Sequence, residues 1–318
     1  MKEFIINKTN ENQRLDKYLK RILPASSNSF LYKMLRKKNI ELNGKRAKGD
    51  EILKSGDSIK IFFSDDTFSK MSESVKEDLN IFLDAYKNIK NVEIVFEHED
   101  FMIVNKPEGV LTQRDKSSVP SLNEWCIGYL LSKNFINEKS LKEFKPSVLN
   151  RLDRNTKGLV IFGKTLTGSQ RLSELIKKRD LKKYYFAKTE GGCDLNGLYK
   201  AYLSKDEKTN KVTIYDDVKN IPANIKYSPI STKINVLKSE KDYSLLEIEL
   251  ITGKSHQIRA HLAHLGYPLL GDKKYNGKTD NSFKYQELIA YKLVFPKFDN
   301  SDSWYSLSEK IIKINVDN

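Results

Sequence analysis

Val148-Leu149-Asn150-Arg151-Leu152-Asp153-Arg154-Asn155-Thr156-Lys157-Gly158, continued by Leu159-Val160-Ile161-Phe162-Gly163-Lys164, reads as strand, polar loop, strand. The second strand is almost wholly apolar, as a strand buried on both faces would be. The loop carries one carboxylate, Asp153, between two guanidinium groups, Arg151 and Arg154. A carboxylate on a loop held by two buried strands is well placed for chemistry. The same spacing also describes a surface turn with an Asx bend at Asp153. The rest of the sequence decides between them.

At 318 residues the chain has room for two domains. Its net charge is +14, which favours a polyanionic partner such as nucleic acid or an anionic surface. The charge is uneven: residues 1–64 hold 15 Lys and Arg against 7 Asp and Glu, and residues 65–100 hold 4 against 10. A basic unit, an acidic connector and a larger basic unit follow, with bounds expected at 1–64, 65–91 and 92–318. No apolar run is long enough to span a membrane, and the first residues lack a signal-peptide core. Two cysteines, Cys126 and Cys193, make neither a disulfide framework nor a zinc ribbon. A reduced, cytoplasmic protein is expected.

In the first unit, helices are expected over Arg14–Leu23, ended by Pro24, and Asn28–Lys38, capped by Ser26 or Ser27. Lys33, Arg36, Lys37 and Lys38 fall opposite the apolar face of the second helix. Asn43-Gly44 marks a hairpin turn ahead of Lys45, and Gly56-Asp57 marks a second turn before a strand at 58–63. Basic side chains on such a scaffold neutralise phosphates, although a charged helix face alone is only a solvated face. The order of elements, with Arg14-Leu15-Asp16, Asn43-Gly44 and Gly56-Asp57, resembles the alpha-L RNA-binding module known from a small-subunit ribosomal protein. The candidate RNA contacts are Arg14, Lys33, Arg36, Lys37 and Lys45. In the connector, Val75, Leu79, Phe82, Leu83 and Tyr86 can line one helix face, and either a docking helix or a flexible tether fits.

In the large unit, strands are expected at 92–96, 101–105, 183–188, 212–215, 232–237, 243–251, 288–295 and 311–316, with helices at 121–132 and 166–179. That order lacks a regular βαβ alternation, so the fold class is α+β with a mixed or antiparallel sheet, behind a small α/β RNA-binding domain. A second unusual stretch runs from Thr252-Gly253-Lys254-Ser255-His256-Gln257-Ile258-Arg259 to Gly266. It turns at Gly253 into a helix that Ser255 can cap, with His256, Arg259 and Gln257 at its start. His256, His261 and His264 lack the spacing of a helical zinc pair. No nucleotide loop and no serine elbow is present. What remains suits chemistry on a nucleobase, which must be taken out of its stack and held against a π face. Tyr184 or Tyr185 can supply that face. Arg259 can pair with Asp153 and favour its ionised form.

Three stretches together resemble the RluA-type pseudouridine synthases, enzymes that modify uridines in structured RNA. They are Asn105-Lys106-Pro107-Glu108-Gly109, the loop Arg151-Leu152-Asp153 through Leu159, and Thr252 through Leu262 with Gly266-Tyr267-Pro268-Leu269-Leu270-Gly271-Asp272 and Tyr275. The resemblance, over residues 92–296, implies an aspartate-dependent, base-flipping isomerase. It matches Asp153 to the catalytic aspartate, Tyr185 to the active-site tyrosine and Arg259 to the arginine that pairs with the aspartate. Arg151 is a further substrate-binding candidate. The sequence departs from the pattern at Asn150, Lys157 and Lys254. The resemblance further implies no cofactor or metal, action as a monomer, and structured RNA as substrate, with 23S-type large-subunit ribosomal RNA expected. Two rivals are a non-catalytic RNA-binding or ribosome-assembly factor on the same fold, and a glycoside hydrolase using Asp272 as a second acid.

Overall fold

The computed structural model describes residues 1–73, 78–115, 119–278 and 283–316. The chain divides into two units, Met1–Asn80 with Asn134–Lys145, and Ile81–Lys133 with Pro146–Asn318. In the first unit, β1 (Lys2–Ile5), not expected from the sequence, precedes α1 (Leu15–Ile22) and α2 (Asn28–Arg36). Ser27 caps α2 by accepting a hydrogen bond from the Phe30 amide at 3.1 Å. Then come β2 (Ile40–Leu42), β3 (Lys45–Arg46) and β4 (Ser58–Ile61). Asn43 and Gly44 both take positive φ, 52° and 70°, as a two-residue hairpin turn requires. The sheet order is β1-β4-β2-β3, and Leu15, Leu19, Leu31, Leu35, Ile40 and Ile59 form its core. The stretch read as a connector contains α3 (Asp65–Ser72), whose Phe68 and Met71 pack on that same core. Val75 lies outside the described residues.

The second unit opens with α4 (Asn80–Asn88), β5 (Glu93–Glu97), β6 (Phe101–Lys106) and α5 (Leu122–Ser132). Tyr86 of α4 meets Trp125 of α5 edge-on at 5.3 Å. Ser121 and Glu124 form a capping box on α5. The chain then passes through α6 (Glu138–Glu143), which belongs to the first unit. It resumes with β7 (Ser147–Val148), β8 (Lys157–Gly163), α7 (Leu166–Lys178) and β9 (Lys182–Glu190). Next are β10 (Gly197–Lys205), β11 (Val212–Tyr215), β12 (Tyr227–Ser239) and β13 (Tyr243–Leu250). Last are α8 (Gln257–His264), β14 (Leu288–Val294) and β15 (Ile311–Lys313). The sequence reading omitted β10 and shortened β12. In both the alternation breaks: Leu198 and Leu237 are exposed while Ser204 and Thr232 are buried, which weakens the pattern.

One large sheet runs β11-β10-β12-β13-β9-β14-β8-β6-β5, with β7 against β8 and β15 against β14. Its described pairs are antiparallel except β8 with β14. Residues 158–163 of β8 are all buried, as the unbroken apolar run requires. At Gly158, φ +121°, a Cβ would stand 2.2 Å from the Ala290 carbonyl oxygen. Only glycine lets those two strands approach there. Phe101, Ile103, Leu159, Ile161 and Leu172 form the core against which α7 packs. Among the described residues no helix is long and apolar enough to cross a membrane.

Candidate active site

The loop between β7 and β8 is held from several sides. Asn150 Oδ1 accepts the Ile161 amide at 2.7 Å. Thr112 donates its hydroxyl proton to the Leu152 carbonyl at 2.8 Å and accepts the Leu152 amide at 3.1 Å. Gln286 donates to Thr156 at 3.0 Å. The Lys106-Pro107-Glu108-Gly109 turn supplies the remaining brace. Arg154 Nε donates to the Gly109 carbonyl at 2.9 Å. Lys106 Nζ donates to the carbonyls of Pro107, Val110 and Arg154 at 2.9, 2.8 and 2.9 Å. Burial pushes the Lys106 ammonium down to about 7, yet three carbonyls take all three of its protons. The loop is therefore a fixed platform, and Asn150 serves as a backbone brace in it.

Asp153 rises from that platform into a pocket of about 820 Å³, which Tyr185, His256, Arg259 and Lys274 also line. Arg259 Nη1 donates to Asp153 Oδ2 at 2.6 Å. The rest of the guanidinium fork grips Asp272, Nε to Oδ2 and Nη2 to Oδ1, both at 2.7 Å. Burial opposes the charge of Arg259, but its bonds and charge contacts with Asp272 and Asp153 hold its pKa above the ordinary arginine range. Asp272 is fully buried with both oxygens on that fork. It is not the second acid that a hydrolase would present to a substrate.

Tyr185 is buried on β9 and lines the pocket, while Tyr184 lies on the opposite face with Lys292 Nζ 4.1 Å from its ring. Burial, with Asp153 adding to it, pushes the Tyr185 hydroxyl well above its usual range. It therefore stays a neutral phenol whose ring face is what it offers.

Ser255 does not cap α8. His256 occupies that position in the left-handed region, φ 54°, without a side-chain cap bond. Such backbone is uncommon for a side-chain-bearing residue and is held only by its surroundings. It aims the ring inward. Nδ1 meets the Tyr275 hydroxyl at 2.9 Å, and Nε2 stands 3.8 Å from Asp153 Oδ1. Burial lowers the His256 pKa, with the Asp153 charge opposing and Arg259 and Lys274 adding to the drop. Gln257 lines the pocket, but its side chain is taken up by the strands behind it. It accepts from Thr252 at 2.9 Å and donates to Ser231 and Thr232 at 3.1 Å each.

The three helix histidines diverge: His261 meets Thr232 at 3.0 Å and His264 meets Asp216 at 2.8 Å. His98, Glu99 and Asp100 offer ligand atoms within 4.8 Å of one another. Asp100 is engaged by Thr165 at 2.6 Å and by the Trp304 indole at 3.1 Å, so this group serves packing. Arg151 and Lys254 are exposed at the pocket rim, and Lys157 is exposed at the start of β8. The sequence reading missed two features. Lys106 ties its own turn to the loop through the Arg154 carbonyl, 48 residues away. Lys183 lines the pocket beside Tyr185, a placement that strand alternation could have shown.

In the first unit, Lys33, Arg36 and Lys37 are exposed on or just after α2, and Lys45 is exposed on β3. Arg36 lines a cleft of about 730 Å³ with Ser29, Tyr32, Arg46, Ala47 and Lys48. Arg46 and Lys48 were not singled out from the sequence. Arg14, its side chain half exposed, pairs with Asp16 through Nε at 3.1 Å and Nη2 at 2.9 Å, and Tyr32 donates to Asp16 at 2.8 Å.

A braced carboxylate paired with a guanidinium, a buried aromatic beside it and a separate basic unit suit chemistry on a base in RNA. Residues 100–264 match the model of the RNA pseudouridylate synthase family, and residues 13–59 match the S4 domain. An uncharacterized RNA pseudouridine synthase of Mycoplasma genitalium is 33% identical over 94% of this chain and 90% of its own length. The ribosomal large subunit pseudouridine synthase C of Rickettsia conorii is 32% identical over 94% of this chain and 90% of its own. In fold, the chain is similar to human RNA pseudouridylate synthase domain containing 4, with TM-score 0.55 and 20% identity over 76% of this chain and 93% of that one. The chain belongs to the RNA pseudouridylate synthase family, in its RluA-type branch, with an S4 domain near its N-terminus.

Proposed function

We propose that this pseudouridine synthase acts on uridine in large-subunit ribosomal RNA, with Asp153 as its catalytic group. The name of the Rickettsia relative supports the choice of RNA. One observation carries the catalytic assignment: Asp153 is paired to Arg259 at 2.6 Å inside the pocket that Tyr185 lines.

In this reading the target uridine leaves its stack and its uracil lies on the Tyr185 ring. Arg259 occupies Asp153 Oδ2, so Oδ1 is the oxygen left to act on the flipped nucleotide as nucleophile or base. The N1–C1′ bond breaks, the uracil turns in the pocket, and C5 bonds to C1′. The C5 proton is lost and N1 regains one, so atoms and electrons balance with nothing oxidised. Arg259 orients Asp153, and neutral His256 packs beside Oδ1. Residues 92–318 carry this chemistry. Residues 1–64 grip the RNA through Lys33, Arg36, Lys37 and Lys45, with Arg14 bracing Asp16 and Arg151 at the catalytic rim.

The test is tritium release from 5-tritiated uridine in an unmodified large-subunit ribosomal RNA transcript. The wild type releases tritium. Asp153→Asn releases none, while its affinity for the transcript stays within about twofold. Robust release by that variant would remove Asp153 from the mechanism. A non-catalytic binder would bind the transcript and release nothing in either form.

A further inference from the structure

Lys183 precedes Tyr185 by two residues on β9, so both side chains leave the strand on one face, and both line the Asp153 pocket. Its Nζ lies against the turn into α8, where a Cβ added to Gly253 would be 3.4 Å away. Among the other cations that line the pocket, Arg259 has two carboxylates, Arg154 Nε donates to the Gly109 carbonyl at 2.9 Å, Lys205 Nζ to Glu207 at 3.0 Å and Lys274 Nζ to the Asn210 carbonyl at 2.7 Å, while Arg151 and Lys254 are exposed at its rim. Lys183 has no hydrogen-bond or ion-pair partner among the described residues, and burial alone lowers its pKa. Leu149, Ile176 and Leu250 also line this pocket. A half-buried cation without a counter-charge is unfavourable for the empty protein. It is favourable only when an anion enters.

The substrate brings such an anion at a fixed offset. Same-face residues on a strand lie about 7 Å apart, comparable to the distance from a stacked base to its own sugar–phosphate. Uracil itself is neutral on entry, whereas each nucleotide is flanked by charged phosphodiesters. Resting on the uridine reading above, we propose that Lys183 pairs with a phosphodiester flanking the flipped uridine and so holds the nucleotide out of its stack. Lys183 is then a substrate-binding residue, distinct from the exposed Arg151 and Lys254 at the rim.

The experiment compares wild type, Lys183→Met and Lys183→Arg on the unmodified large-subunit transcript, by tritium release and by filter binding across a salt series. In the methionine variant KM rises about tenfold, kcat stays within about twofold, and the slope of log Kd against log salt falls by about 0.7–0.9, one phosphate contact. Arginine restores the slope. Wild-type KM rises with pH as the Lys183 ammonium loses its proton, and the methionine variant lacks that rise. A fall in kcat with KM and slope unchanged would put Lys183 on the reacting base and overturn the proposal. An unchanged methionine variant would overturn it too. A wild type that shows the slope difference but releases no tritium would sink the uridine reading and leave the phosphate contact standing.

Discussion

Arg259 spends its whole planar fork, with one edge on Asp272 and the remaining nitrogen on Asp153. A lysine could not do both, because an ammonium is a point charge without a fixed fork. Asp272 therefore acts as a positioning residue. Its buried side chain faces a guanidinium that has only one other carboxylate. Asp272→Ala is expected to cost about 3–5 kcal/mol of stability, the usual range for breaking a buried ion pair. Urea unfolding measures that loss. Tritium release well below the variant's unfolding transition should show kcat falling while KM changes little, because the freed fork no longer aims at Asp153. An unchanged kcat would mean that Asp153 orients without it.

At the scale of elements, the site is made by two turns meeting across the sheet end. The Lys106–Gly109 turn leaves β6, and the Asp153 loop enters β8, its neighbour in the sheet. Lys106 Nζ joins them through the Arg154 carbonyl. Lys106→Met would leave three carbonyls without their donor, and each unsatisfied buried acceptor costs about 1–3 kcal/mol. A loss of about 3 kcal/mol or more is expected in chemical unfolding, with amide exchange rising across residues 150–156. Exchange that stays slow in that segment would show that Thr112 and Asn150 suffice. The brace was not legible in the sequence: the lysine stands in a recognisable turn, but its acceptor is chosen by strand pairing.

For the molecule as a whole, the proposed function puts catalysis and RNA grip on different units. Lys33, Arg36 and Lys37 are exposed around α2, so reversing them touches no core. The triple substitution Lys33→Glu, Arg36→Glu, Lys37→Glu should leave unfolding unchanged. It should weaken binding to the large-subunit transcript about 100-fold or more near 0.1 M salt and flatten the salt slope by about two. At saturating RNA, kcat should be retained. A full slope with normal affinity would move the RNA path to the cleft at Arg46 and Lys48.

The sequence by itself determined the antiparallel-dominated α+β plan and the hairpin at Asn43-Gly44, and the family resemblance it carries singled out Asp153, Tyr185 and Arg259 as candidates. Periodicity, turn chemistry and motif order are local properties, and local rules read them. The tertiary structure alone decided what those residues touch. It set Asp272 on the far edge of Arg259, placed His256 at a helix start reserved on paper for Ser255, turned Gln257 inward, and left Lys183 without a counter-charge beside Tyr185. The physical reason is common to all four. A hydrogen bond or ion pair between residues 13, 25 or more positions apart depends on strand register and helix placement, and neither is written in the spacing of the residues it joins.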